Sequence, residues 1–234
     1  MIDSNPFFKF IWRINALIIL FAGILVIGVL IYLSNHIFSE IFGIRNVSNV
    51  VNIESEQDGI KQKWLLGYMS KVAGTPYFML PLELEQFYQQ SYYEKGTTSI
   101  HNYLFINAIS NNEQRWLMDN DQSLITKYHF LSEPNIDDKT NTIAILYQIV
   151  KQDSDGDKRL DVDDGLTISL SKPDGSAYHE ILQNVERLFW QQVIDKNILL
   201  LTYRMGEDVF SMQVNLNDFS VLNKVKLLTP SPIQ

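Results

Sequence analysis

Cysteine is absent from all 234 residues, which excludes disulfides, thiolate nucleophiles, zinc–thiolate centres and iron–sulfur clusters together. Any domain outside the cytoplasm must then be held by its core. Histidine is scarce too: His36, His101, His129 and His179 are the four, with no pair at H-x-H or H-x-x-x-H spacing. A histidine metal site needs converging ligands, so these read as surface or cross-strand residues, with His101 and His129 as candidate neighbours across one sheet. None of the 11 glycines builds a G-x-S-x-G elbow, a G-x-G-x-x-G turn or a G-x-x-x-x-G-K-[ST] cradle. Glu83 and Glu85 alternate on one face of a candidate strand, the pattern of a solvated edge rather than of two opposed glycosidase acids. The expectation is a protein that is not an enzyme.

Positive charge is also short. Lys and Arg number 19 against 27 Asp and Glu, for a formal net charge of −8. Asp3 against Lys9 and Arg13 leaves the first 13 residues at +1, so the remainder carries −9. An acidic chain without a clustered basic face is unsuited to nucleic acid, which demands concentrated positive charge. Docking of the domain itself onto anionic lipid is disfavoured for the same reason.

What the chain does have, first, is an uninterrupted apolar run. Residues 14–33 contain no charge, enough to cross a bilayer core as a helix. Lys9 and Arg13 precede the run and Arg45 is the only basic residue soon after it, which predicts a cytoplasmic N-terminus. The rival reading is a cleaved signal peptide. The length of the run and the lack of a small-residue cleavage site in Ser34-Asn35-His36-Ile37-Phe38 favour a retained anchor. The expected division is a cytoplasmic N-terminus over 1–13, a transmembrane helix over 14–33, a juxtamembrane segment over 34–45 extending the helix, a periplasmic domain over 46–228, and a tail over 229–234.

Strand signals dominate from residue 46 onward. They predict strands over 47–54, 63–70, 77–84, 103–109, 114–118, 125–131, 142–151, 166–171, 178–182, 187–194, 198–203, 209–215 and 221–227. Turn chemistry separates them, as at Pro173-Asp174-Gly175, Asp195-Lys196-Asn197 and Met205-Gly206-Glu207. A single helical excursion is entertained over 82–93. Segments 102–120, 165–184 and 208–227 share one grammar, an apolar strand, a polar turn and a second strand ending in aliphatic residues. Such repetition suits propeller blades, and blades of about forty residues would give roughly four, the low end for a closed ring. The fold class expected is mainly β, an all-β domain after one transmembrane helix. A propeller or partial propeller stands against a β-sandwich or meander in which consecutive hairpins merely look alike.

The second thing present is an acidic loop. Residues 153–164 carry six carboxylates in twelve positions. On the calcium-loop template, Asp153, Asp155, Asp157, Asp161 and Asp164 fill positions 1, 3, 5, 9 and 12 with oxygen donors. Arg159 falls at position 7, where the backbone carbonyl is the ligand, and Leu160 at position 8, which points inward and pins the loop. Two departures stand out. Lys158 occupies the glycine position 6, and Asp164 closes the loop where a bidentate Glu is usual, a shorter reach that weakens binding. The expected ion is Ca²⁺, and the competing reading is a solvated acidic turn between strands.

Residues 147–208, with Ser171, Pro173, Asp174 and Gly175 as an S-x-P-D-G turn after the acidic loop, resemble a set of uncharacterised membrane-anchored proteobacterial proteins. That set looks related to the propeller of the periplasmic Tol system, and the strand Gln114-Arg115-Trp116 fits the same pattern. The resemblance implies a bacterial inner-membrane protein with a periplasmic domain and carries no enzymatic activity. The reading that follows is a membrane-anchored accessory or scaffold subunit that binds another envelope protein, stiffened by calcium. A ligand-binding sensor and a hydrolase with an unrecognised site are the alternatives.

Overall fold

The computed structural model describes residues 6–42, 51–52, 61–90, 93–110, 113–133 and 141–228. The chain divides into two compact units, residues 1–47 and 48–234.

The first unit is one helix, α1 (Pro6–Phe42). Pro6 opens it at the position where a missing N–H costs nothing and a fixed φ helps. Every side chain from Phe10 to Leu30 is exposed. These 21 residues are long and apolar enough to span a membrane. At 1.5 Å per residue they cover roughly 30 Å, the thickness of a hydrocarbon core. An apolar surface on every side suits lipid as its surroundings.

The second unit is all β. Three antiparallel meanders follow one another in the chain. The first consists of β2 (Lys61–Leu66), β3 (Ser70–Lys71), β4 (Tyr77–Gln90), β5 (Tyr93–Asn107) and β6 (Gln114–Trp116), in the order β2-β4-β5-β6 with β3 also on β4. The second consists of β7 (Leu124–Ser132), β8 (Thr142–Val150), β10 (Leu166–Ser171) and β11 (His179–Val185), in the order β7-β8-β10-β11. The third is β12 (Arg187–Asp195), β13 (Ile198–Met205), β14 (Asp208–Asn215) and β15 (Val221–Lys226), paired in sequence. β1 (Val51–Asn52) and β9 (Arg159–Leu160) form a separate two-stranded ladder.

The second meander is the middle layer. Along β8, Ile145, Tyr147 and Ile149 pack with Met79, Tyr103 and Phe105 of the first meander. Ala144, Leu146 and Val150, on the other face, pack with Leu199, Leu201 and Val214 of the third. Both faces are buried, which is why this strand reads as a continuous apolar run instead of an alternating one. Each such aliphatic side chain contributes about 1.5–3 kcal/mol by leaving water. β10 is asymmetric: Leu166, Ile168 and Leu170 join the third-meander core, whereas Ser169 and Ser171 turn the other way. Those hydroxyls are satisfied, Ser171 by the Tyr147 hydroxyl at 3.0 Å and Ser169 by the Tyr178 hydroxyl at 3.0 Å.

The repeats fall where a sheet repeat should. Segments 102–120, 165–184 and 208–227 fall on the last two strands of the first, second and third meanders in turn, the first taking in only the end of β5. The repeated unit is thus an antiparallel strand pair at the end of each meander, and among the described residues the sheets show no closed propeller ring. Most strand expectations coincide with observed strands. The expected strand over 47–54 has only Val51–Asn52 within the described residues.

The helix entertained over 82–93 does not form: β4 continues as a strand through Gln90. Leu84 and Gln86 are buried while Glu83 and Glu85, alternating with them, are half-buried, a period of two. Pro81 lies inside this strand, although a proline has no N–H to give to a central ladder. Its carbonyl accepts from Gly67 N at 2.9 Å, in the gap between β2 and β3, and the N–H it lacks would point to that same side. No ladder bond is lost. His101 on β5 and His129 on β7 belong to different sheets, so they are not cross-strand neighbours.

The turn between β10 and β11 joins the layers. Gly175 N donates to Lys172 O and Lys172 N to Ser176 O, both at 2.9 Å, with Gly175 at φ +77°. Lys172 Nζ reaches the third meander, donating to Leu216 O at 2.9 Å and Asn217 O at 2.7 Å and lying 4.8 Å above the Phe219 ring.

Candidate metal centre

The acidic loop connects β8 to β10 and is fastened at its middle. Leu160 pairs with Val51 and Arg159 with Asn52, and both Leu160 and Val51 are buried in the main core cluster. Leu160 thus takes the inward role expected of position 8.

Around that pin the carboxylates are held by backbone N–H groups. Asp153 Oδ1 accepts from Gly156 N at 2.6 Å and its Oδ2 from Lys158 N at 2.9 Å. Asp155 accepts from Asp157 N at 3.1 Å, Asp157 from Arg159 N at 2.9 Å, and Asp161 from Asp163 N at 2.8 Å. Two positive φ values make these short closures: Gly156 at +82° and Lys158 at +67°. The left-handed conformation that the template assigns to a position-6 glycine is therefore kept here by a lysine.

Asp164 is the exception in burial, only 2% exposed. Ser154 donates to its Oδ1 twice, from N at 2.6 Å and from Oγ at 3.0 Å, and Asp161 N donates to its Oδ2 at 3.0 Å. Ser154 Oγ in turn accepts from Gly165 N at 3.0 Å. Sequence reasoning passed over Ser154, whose hydroxyl ties the two ends of the loop together. A hydroxyl at a non-ligand position carries no template signal.

Of the five expected side-chain ligands, the structure gathers three. One carboxylate oxygen from each of Asp153, Asp155 and Asp164 lies within 4.8 Å of the others, so the trio could hold a metal ion. Oxygens bound to one ion at about 2.4 Å stand at most about 4.8 Å apart, so the spacing matches one coordination sphere. Asp157 and Asp161 stand outside the trio, and the Arg159 side chain is exposed. The charges act on one another. Removal from water pushes Asp153 up, but the N–H groups of Gly156 and Lys158 outweigh it and hold its carboxyl below the usual value. Asp155 is held down by the Asp157 N–H, yet desolvation and the charges of Asp157 and Asp164 leave it raised. A clustered oxygen-only set selects hard cations of the calcium, magnesium and manganese class.

Two other sites invite chemistry. Ser99 Oγ lies 3.0 Å from His101 Nε2, and His101 Nδ1 lies 2.7 Å from the Asp121 carbonyl. A hydroxyl beside an imidazole is a nucleophile–base pair in outline, but Ser99 is 1% and His101 3% exposed, so the contact is a buried network. A polar cleft of about 470 Å³ is lined by Arg115, Trp116, Lys151, Tyr178 and Glu180 among others. Lys151 and Glu180 form an ion pair there.

No family model matches this chain, and no curated protein matches it.

Proposed function

We propose that this chain is a single-pass accessory or scaffold subunit of the bacterial inner membrane, with its N-terminus in the cytoplasm and its β domain in the periplasm. Lys9 and Arg13, ahead of the apolar run within α1, support that orientation, as does the resemblance to membrane-anchored envelope proteins. The β domain binds another envelope protein and performs no catalysis of its own.

Its acidic loop binds Ca²⁺. Asp153, Asp155 and Asp164 would supply carboxylate oxygens, the Arg159 carbonyl a backbone oxygen, and Asp157 and Asp161 would complete the shell by swinging in or through water. The observation that carries this reading is the trio itself: three carboxylates within 4.8 Å of one another, one of them buried. Three such charges repel unless a cation neutralises them. A bound ion would draw together the end of β8 and the start of β10, and so stiffen the middle layer against which both flanking sheets pack.

The test is calcium titration of the full-length protein in mild detergent by calorimetry, with EGTA-treated protein as the starting state. One site per chain is expected. At a free calcium of about a hundred times Kd, unfolding should shift by about 2.7 kcal/mol in favour of the folded form. Absence of heat and of any melting shift would leave the loop as a solvated acidic turn. A shift given equally by magnesium would retain the site but reassign the ion.

A further inference from the structure

Arg187 and Arg204 are direct partners in the β12–β13 ladder, so their side chains leave the same face of the sheet with Cβ atoms roughly 5 Å apart. That face is turned away from the core, since Tyr203, Leu201 and Leu199, on the opposite face of β13, are fully buried. Both guanidinium groups stand near the ring of Phe189, their central carbons 5.9 and 5.5 Å from its centroid. The register slips between Leu188 and Trp190. The extra residue at this bulge leaves Phe189 and Trp190, 44% and 46% exposed, side by side on the outer face.

Like charges directly opposite one another on adjacent strands are unfavourable. The ion pairs among the described residues are Lys151–Glu180 and Lys226–Asp208, and neither involves these arginines. In a chain with 27 acidic residues, two guanidiniums share an aromatic ring, and among the described residues no carboxylate forms an ion pair with them. Guanidinium forks pair carboxylates in a bidentate manner, and arginine beside tryptophan is the composition of interface hot spots.

We propose that the outer face of β12 and β13 docks an acidic segment of a partner protein. A carboxylate of that segment lies between Arg187 and Arg204, and an adjoining apolar side chain packs on Phe189 and Trp190. This names the surface and the partner chemistry of the accessory-subunit reading and rests on it, but it does not depend on calcium. Two cations on an acidic domain are too few for a phosphate polymer or an anionic lipid surface, both of which reward extended positive charge.

The full-length chain in mild detergent is titrated, by fluorescence anisotropy, with a labelled Glu-Glu-Leu-Phe-Glu-Glu peptide and with its Gln-Gln-Leu-Phe-Gln-Gln counterpart. The acidic peptide should bind about tenfold more tightly or better, in keeping with one charge-assisted contact. That preference should weaken with added salt, disappear in the double variant R187Q/R204Q, and survive EGTA. Equal binding of the two peptides, or a preference that the double variant retains, overturns the proposal. So does binding lost on EGTA alone, which would move the acidic ligand to the calcium loop. Capture by phosphatidylserine vesicles through the same arginines would overturn it in favour of lipid. A second readout needs no ligand: at low salt Arg204→Gln should raise the melting temperature by relieving repulsion, and a fall would make the pair a structural stack instead. Failure here leaves the calcium titration untouched, and failure of that titration leaves this surface untouched.

Discussion

Lys158 donates its backbone N–H to Asp153 Oδ2 at 2.9 Å while holding φ at +67°, a conformation that costs a side-chain-bearing residue about 1–2 kcal/mol. The bond aims the Asp153 carboxylate at the centre of the loop, so the strain is tied to the geometry of the candidate ligands. Lys158→Gly removes the strain and keeps the N–H. The expected result is a gain of about 1 kcal/mol and a melting temperature higher by about 2–4 °C, read by calorimetry in EGTA. An unchanged or lower melting temperature would mean that the lysine side chain contributes more than its backbone costs.

The carboxylates of the loop should separate into two groups. Asp153→Asn, Asp155→Asn and Asp164→Asn each remove a charge from the trio and should weaken calcium binding by about tenfold or more, following the dependence of such loops on ligand charge. Asp163→Asn removes a charge that the template does not use and that lies outside the trio, and should change Kd by less than about threefold. Titration of the four variants against the parent decides it. A uniform loss across all four would indicate that overall negative charge, not a coordination site, attracts the ion.

Burial holds the His101 imidazole below its usual pKa, against the upward pull of the Asp121 carbonyl and side-chain charge. The unfolded chain therefore takes up a proton near pH 6.5 that the folded protein refuses. Stability from this residue is complete above that pH and falls as the pH drops below it, by at most about 1.4 kcal/mol per pH unit for one proton. His129 is shifted in the same direction by burial and by Lys127, and adds to the slope. Urea unfolding between pH 5 and 7 should show the decline, and His101→Gln should flatten part of it. A variant curve parallel to the parent would remove His101 as the cause.

The extent to which the sequence spoke for the fold depended on where each pattern was local. The strand at Leu166–Ser171 was legible to the residue because its apolar alternation lies between an acidic loop and a Pro-Asp-Gly turn. β4 was legible only as far as Leu84, because Leu82–Gln90 carries residues that helices also accept. Only the gap between β2 and β3, a tertiary fact, lets a proline sit inside the sheet. In the metal centre, spacing alone nominated Asp153, Asp155 and Asp164. It equally nominated Asp157 and Asp161, since a template fixes sequence positions and not where the folded loop brings each carboxylate oxygen. The Arg187–Arg204 pair was invisible for a related reason: residues 17 apart meet only through strand register.

Gly175 is the point at which one turn and two layers meet, and its replacement is the sharpest test of the packing. Its φ of +77° closes the turn between β10 and β11, and a Cβ placed there would lie 2.3 Å from Phe105 Cδ2 of the first meander. Phe105 is 1% exposed and packed in the core, so its ring has little room to retreat. Gly175→Ala therefore adds left-handed strain to an overpacked contact, for a combined cost of about 2–4 kcal/mol. Gly206 makes the matched control: its φ is +61° but nothing lies within 4 Å of an added Cβ, so Gly206→Ala should incur the backbone strain alone, about 1–2 kcal/mol. The difference between the two variants in urea unfolding isolates the contact between the first and middle layers. Equal destabilisation would show that the turn and Phe105 yield to one another, and that the layers are joined by the extended cores rather than at this point.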